Sequence, residues 1–370
     1  MRKIFVRAAA LLAFAPGTSA LAADFAVKAP SPVSEDGFYA WLDGSYQQIN
    51  LPRYSLGFNR NPDTGGPTDF FDLGKFDSVN ARVDGPGGTG GIGFMVPNTA
   101  LSPLFGTNLR VEAIVSGVSA RSTQNGGTAL VDPNQESAIQ LMNGQTVSTI
   151  QNCGSCTTST TLNTRYTSLQ GGGRIATDYR FGYFSWTPSL GFFAGNTRTE
   201  QTFAQSLLSI PPAPSPSFNS TYNASTSLRW TDIGLRFGGE GRLQVHPWVT
   251  LALGGSLGVA NRRTDFSGSD VMTCGFVCTP NSSTIGASGT KTALVANTEG
   301  SVIVGQPGGW KARIFAGVNW DDSVPGISPS SYGGPIFTPT SVTPAGIFYS
   351  RQTSLYAGGG LSYKFFGATP

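Results

Sequence analysis

The chain has 370 residues, 49 of them glycine, with 12% charged side chains and a formal net charge of +3. Arg2, Lys3 and Arg7 supply that excess, since the rest of the chain carries 24 − 3 = 21 basic against 21 acidic residues. A neutral remainder offers no basic face for nucleic acid, and the charged share is about half the usual one.

The basic start is followed by an apolar run, Ala8–Ala15, and by the small-residue site Ala20-Leu21-Ala22. This pattern predicts a secretory signal peptide over 1–22; the run is too short for the ~20 residues of a spanning helix. Residues 23–36, with Pro30 and Pro32, read as a periplasmic tail. No later apolar run approaches ~18 residues, so a membrane crossing would have to be made by strands.

Alternation of apolar and polar residues then predicts strands. The first is Phe38–Gln48, with Phe38, Ala40, Leu42 and Tyr46 on one face. In the second, Val79–Val96, the apolar parity is odd at Val79, Ala81 and Val83 but even at Ile92, Phe94 and Val96. The Gly-Pro-Gly-Gly run between them predicts a bulge or break. The third covers Thr107–Ser122. The fourth and fifth form a hairpin about Gly182, where Pro188 predicts a register break. The sixth and seventh turn at His246-Pro247, and the eighth and ninth at Gln306–Gly309. The ninth carries a Trp at each end of its apolar stripe, Trp310 and Trp320, as two membrane–water interfaces favour. The tenth is Arg351–Phe365, with Leu355, Leu361, Tyr363 and Phe365 on its apolar face.

Connections alternate in length. Leu51–Ser78, Thr123–Asn163, Glu200–Ala224, Phe266–Gly289 and Asp321–Tyr349 read as long loops. Those near 97–106, 181–183, 245–247 and 306–309 are short. Long outer loops and short periplasmic turns sort this way in a transmembrane barrel. The sequence therefore predicts an all-β fold: a transmembrane antiparallel up-and-down barrel over 37–366, with about ten strands (eight or twelve as alternatives). A tail, 367–370, follows. Only closure satisfies every backbone group in lipid.

Parity also sorts the charges. Arg110, Arg174, Arg180, Arg236, Arg242, Lys311, Arg313 and Lys364 share the predicted inner face with Asp43, Glu112, Asp178, Asp232, Glu240 and Glu299. Two readings stand: mutual pairing that fills the lumen, or a charged constriction that selects solutes. Inner glycines, among them Gly234, Gly238, Gly254, Gly258, Gly358 and Gly360, would leave room for a narrow water path. Wide channels belong to barrels of ~16–18 strands.

Little else suggests chemistry. The one histidine, His246, sits in a predicted turn with no nucleophile marked beside it, so no enzymatic activity is expected. Cys153, Cys156, Cys274 and Cys278 fall in predicted outer loops, where export favours disulfides over zinc. The connectivity stays open. Gly85–Gly88 and Gly171–Gly173 lack the Lys-Ser/Thr and helix of a phosphate loop, and no cofactor or metal is expected. Ile210–Pro216 reads as a stiff proline-rich loop.

The leader, the first strand Asp-Gly-Phe-Tyr-Ala-Trp-Leu-Asp-Gly-Ser-Tyr (Asp36–Tyr46) and the ending Leu361-Ser-Tyr-Lys-Phe365 resemble Gram-negative outer-membrane β-barrel proteins. More narrowly, the chain is similar to Legionella-type pore-forming major outer-membrane proteins. Its start, Ala23–Pro30, is similar to that of alphaproteobacterial porin-like proteins. Phe365 departs from many members in being followed by five residues. The resemblance implies export to the cell outer membrane and contact with outer-membrane lipid and lipopolysaccharide. It also implies recognition of the last strand by the barrel-assembly machinery. The function it implies is passive diffusion of small hydrophilic solutes or ions, with a non-conducting structural or adhesive barrel as the alternative.

Overall fold

The structure, a computed structural model, describes residues 37–54, 58–62, 81–96, 108–130, 135–150, 155–210, 217–274, 281–306, 309–333 and 341–365. The leader and N-terminal tail, most of the proline-rich loop, and Cys153 and Cys278 lie outside these. The backbones of Cys156 and Cys274 fall within strands.

Ten strands close into a barrel. They are β1 (Gly37–Asn50), β3 (Arg82–Val96), β4 (Asn108–Leu130), β7 (Ser155–Phe181), β8 (Phe184–Ile210), β9 (Phe218–His246), β10 (Val249–Cys274), β11 (Asn281–Gly305), β12 (Lys311–Ser328) and β15 (Gly346–Lys364). Each pairs antiparallel with its neighbours, and β1 closes the ring by pairing with both β3 and β15. Short strands lie outside the ring: β2 (Phe58–Pro62), β5 (Gln135–Gln140) and β6 (Thr146–Ile150) form one small sheet, and β13 (Ser331–Gly333) and β14 (Ser341–Thr343) another.

The expected alternation faces lipid. Leu42, Phe192, Ile233, Leu253 and Ile314, on five different strands, are 63–70% exposed on the outer surface. So large an apolar surface is unstable in water, and a closed ring leaves no unpaired edge in lipid. At one end of the barrel the turns are tight: Gly182, at φ +62°, and Tyr183 join β7 to β8, and Pro247 and Trp248 join β9 to β10. The start of β1 and the end of β15 lie there too, with Phe365 N–H donating to Phe38 O at 2.8 Å. Aromatic rings gather at that rim, with Trp310 4.7 Å and Phe365 5.0 Å from Tyr363. Closure, the apolar belt and this sorting of turns place the protein in the outer membrane with the tight turns periplasmic.

The strands overturn three sequence expectations. Four of the five predicted long loops, all but Leu51–Ser78, are largely strand. β9 has 29 residues, where about 9–11 cross the hydrocarbon. β4, β7, β8, β10 and β11 likewise run far beyond the membrane, and Ser/Thr-rich sequence there pairs as readily as it would loop. The break expected in the second strand is absent: β3 pairs with β1 in one register from Arg82 to Met95. Its apolar parity switches because its two ends serve different solvents. Val83 points into the buried interior above the membrane, whereas Ile92 is exposed toward lipid. Pro188 causes no register break either, since the pairing of β8 keeps one register on both sides of it.

Candidate functional site: the barrel lumen and its outer plug

Inward residues on the membrane-embedded part of the wall are mostly polar or charged. At three glycines a side chain reaches over an intervening strand to bond the next one, which only the concave face permits. Tyr39 on β1 crosses Gly93 of β3, and its hydroxyl donates to Glu112 on β4. Asp43 on β1 crosses Gly360 of β15 and accepts from Arg313 Nε at 2.9 Å and Nη2 at 2.6 Å on β12. Tyr356 on β15 crosses Gly317 of β12 and donates to Glu299 Oε2 on β11 at 3.1 Å. A Cβ on any of these three glycines would collide with the side chain lying over it. Phe315 lies against Gly358, and the Phe193 ring covers Gly234 and Gly258. Of the glycines expected to leave a water path, Gly234, Gly258, Gly358 and Gly360 are thus covered by neighbouring side chains.

Most predicted lumen charges meet an opposite one. Arg110 pairs with Asp178, its Nε donating at 2.9 Å, and Thr187 Oγ1 donates to the same carboxylate at 2.5 Å. Arg174 Nε donates to Glu112 Oε2 at 2.5 Å, and Arg242 pairs with Glu240. Arg313 joins Asp43 to Glu299. Arg180 and Lys364 sit at the periplasmic end of the same face. Two cations differ. Arg236 has no carboxylate partner among the described residues and lies over the Phe193 ring, 4.7 Å from its centroid. Lys311 is exposed at the periplasmic mouth and makes no ion pair among the described residues.

The most connected cation escaped the sequence reading. Arg262 is 1% exposed. Its Nε and Nη2 donate to Asp232 at 2.7 and 2.8 Å, and its Nη1 and Nη2 donate to Asp321 at 3.0 and 2.8 Å. Nη1 also donates to Ser323 O at 2.7 Å. Asp232 was on the predicted inner face, but Arg262 and Asp321 lay past the expected strand ends. Extending the even parity of β10 and the odd parity of β12 by one step would have found both.

Above this network the interior holds an apolar cluster. Val83, Leu162, Phe203, Tyr222, Phe266 and Met272 project from five wall strands and are at most 3% exposed. The turn 141–145 between β5 and β6 descends among them, with Leu141 and Met142 fully buried. Asp270 holds it. Its carboxylate accepts from Met142 N–H at 2.7 Å, Tyr222 O–H at 2.8 Å and Ser283 O–H at 2.5 Å. Tyr222 lies beyond the membrane band; burial, reinforced by the nearby Asp270 carboxylate, pushes its hydroxyl well above the usual tyrosine range, so it stays a donor. Ser330 O–H donates to Leu141 O at 2.8 Å and Ala345 N–H to Met142 O at 2.7 Å. Two outer connections, β4–β7 and β12–β15, therefore meet in one plug.

His246 lies in an exposed periplasmic turn, where its Nδ1 accepts from Trp248 N–H at 3.3 Å. Among the described residues no cluster of metal-ligating side chains occurs. Nothing is described of the cysteine side chains.

No family model and no curated protein matches the chain. Solved structures similar to it include the outer membrane protease OmpT from Escherichia coli, at 13% identity and TM-score 0.37, covering 90% of this chain and 98% of that one. An outer membrane channel from Pseudomonas putida F1 is similar at 10% identity and TM-score 0.31, covering 92% and 100%. The translocator domain of the autotransporter NalP from Neisseria meningitidis is similar at 10% identity and TM-score 0.30, covering 90% of each chain.

Proposed function

We propose that the protein is a plugged outer-membrane channel. Small hydrophilic solutes or ions diffuse through its polar lumen when the 141–145 turn leaves the outer mouth, and no bond chemistry is involved. The observation that carries this reading is Arg236. Arg110, Arg174, Arg242, Arg262 and Arg313 each have a carboxylate, whereas Arg236 has none among the described residues. A lumen that only filled space would pair its inward-facing cations, because an uncompensated charge away from bulk water is costly. The likeness of Ala23–Pro30 to porin-like proteins and of the chain to Legionella-type pore-forming proteins points the same way.

The rival reading is a non-conducting surface barrel whose outer loops bind a partner. The apolar plug favours it, since Leu141, Met142, Phe203 and Phe266 are buried together there. Recordings in planar bilayers decide between the two. The intact protein is expected to give rare, small steps, and a variant lacking the β5–β6 hairpin, 135–150, steady ones. If the hairpin-less protein folds, as its heat-modifiable migration reports, and still gives no steps, the channel reading is wrong.

A further inference from the structure

One edge of the outer wall stays open. β11 pairs with β10 out to Asn281, but with β12 only as far as Val295. Above that point β12 leaves the wall. A register shift between Asp321 and Val324 marks the departure. Arg262 clamps it through the Asp321 carboxylate and Ser323 O. The segment that follows, 324–327, is buried in the mouth and pairs with β15 alone among the described residues.

In an antiparallel sheet, successive residues turn their N–H and C=O groups to opposite neighbours. Gly305 N–H donates to Trp248 O beside β10, so the odd residues of β11 face that way. Leu294 N–H donates to Asp322 Oδ1 at 2.9 Å, so the even residues face the vacated side. Ser282 N–H is taken by Asn281 Oδ1 at 2.9 Å. Between these two, Thr284, Gly286, Ser288, Thr290 and Thr292 are exposed and meet no strand on that side among the described residues. They lie beyond Leu294, the last large apolar side chain on the lipid-facing parity of β11. The edge therefore stands in water above the membrane.

An open edge of this length is a template for another strand, and proteins usually blunt one with proline, a bulge or charges. Thr284–Thr292 has no proline, no register shift against β10 and a single charge, Lys291. The chain's own β12 is held elsewhere. Pro325 has no N–H to give, and Ser330 beyond it is bonded to Leu141 O in the plug. A second copy does not fit either. Two barrels in one membrane point the same way, so a two-fold along the normal crosses their tilted β11 strands and cannot set them antiparallel.

We propose that this edge, which continues the β11–β12 ladder outward, is a strand-addition site for an extended peptide of a partner protein at the cell surface. Main-chain bonds supply the affinity, and alternate side chains the specificity. Residues of the added strand opposite Ile285 and Ala287 are apolar, since both of these pack against the core of the mouth. The residue opposite Gly289 carries an acceptor. The Tyr349 hydroxyl, 3.1 Å from where a Gly289 Cβ would stand, is buried and has no hydrogen-bond partner among the described residues. The residue opposite Lys291 is acidic, because Lys291 is exposed, faces Arg262 on β10 and makes no ion pair among the described residues. The edge lies outside the lumen and serves whether or not the lumen conducts.

The test uses the full-length protein in detergent micelles and a fluorescein-labelled peptide, Thr-Glu-Thr-Gln-Thr-Val-Thr-Val-Thr, written to lie antiparallel to Thr284–Thr292. A copy methylated at the threonine amides, the ones that would face β11, is the comparison probe. Anisotropy is expected to show saturable binding of the first peptide and none of the second. Ser288→Pro removes an N–H on the open side and spares the β10 ladder, and should weaken binding by at least about tenfold. Lys291→Glu should weaken it about fivefold. Amide exchange at Thr284, Gly286, Ser288, Thr290 and Thr292 should be fast in the free protein and slowed by the peptide. Heat-modifiable migration confirms that each variant folds; if Ser288→Pro does not, the methylated peptide decides. No binding of the first peptide, equal binding of the methylated one, or equal binding by folded Ser288→Pro protein would overturn the proposal. Slow exchange at these amides without peptide would overturn it too, because the chain would then be covering its own edge.

Discussion

Tyr39 and Glu112 are joined across Gly93, so the hydrogen bond that links β1 to β4 exists only because the strand between them has no side chain there. Replacing Gly93 with Val drives a branched side chain into the Tyr39 ring. The tyrosine must then leave Glu112, whose other partner is Arg174. Overpacking of this kind costs about 1–3 kcal/mol. We expect Gly93→Val to lower the urea midpoint of the refolded barrel, and Tyr39→Phe to lower it less. Equal midpoints for Gly93→Val and the parent would mean that Tyr39 has another place to lie.

Arg262 makes a sharper case. It is buried with Asp232, which is 4% exposed, while Asp321 is more accessible. Replacing Arg262 with Met leaves the Asp232 carboxylate without its cation, at a cost of about 3–5 kcal/mol. The double change Arg262→Met with Asp232→Leu removes both charges and should recover most of that loss. Equilibrium unfolding of the single and double variants measures it, and a double variant as unstable as the single one would refute the pairing argument.

The barrel was readable because lipid imposes a strict period of two on every crossing strand. Leu251, Leu253, Leu257 and Val259 announce both a strand and its outer face. The upper barrel was not readable in the same way, because the solvents exchange places there. Inside, Phe266 and Met272 are apolar; outside, Arg263 and Asp265 are polar. A reader following one apolar stripe stops at Val259 and takes the rest for loop. The plug was hidden for another reason: Met142 and Asp270 are 128 residues apart, and nothing local marks either as a partner. The pairing of Arg313 with Asp43 could be framed from parity as one of several lumen contacts, but picking that pair required the register across β15.

Arg236 and Arg313 should respond differently to the same substitution. Arg313 is held by Asp43 and Glu299, so Arg313→Glu places three carboxylates together and should reduce the folded fraction. Arg236 has only Phe193 beneath it, and Arg236→Glu should fold. In the hairpin-less channel, Arg236→Glu is expected to move the reversal potential in a KCl gradient toward the cation limit. An unchanged reversal potential would remove Arg236 from the conduction path.

Asp270 is the place to loosen the plug without cutting the chain. Its carboxylate is the acceptor for Met142 N–H, Tyr222 O–H and Ser283 O–H, all buried among apolar side chains. Asp270→Ala strands these donors, and each unsatisfied group costs about 1–3 kcal/mol. Asp270→Asn keeps one oxygen acceptor and should lose less. The wall stays intact, because β10 pairs with β9 and β11 through its backbone on both sides of this residue. The cost therefore falls on the 141–145 turn. Amide exchange at Met142 is expected to speed up by at least about tenfold in Asp270→Ala, the factor that corresponds to ~1.4 kcal/mol. In bilayers the same protein should open more often than the parent. Faster exchange without more frequent opening would mean that the turn can leave Asp270 while the apolar residues around it still seal the mouth.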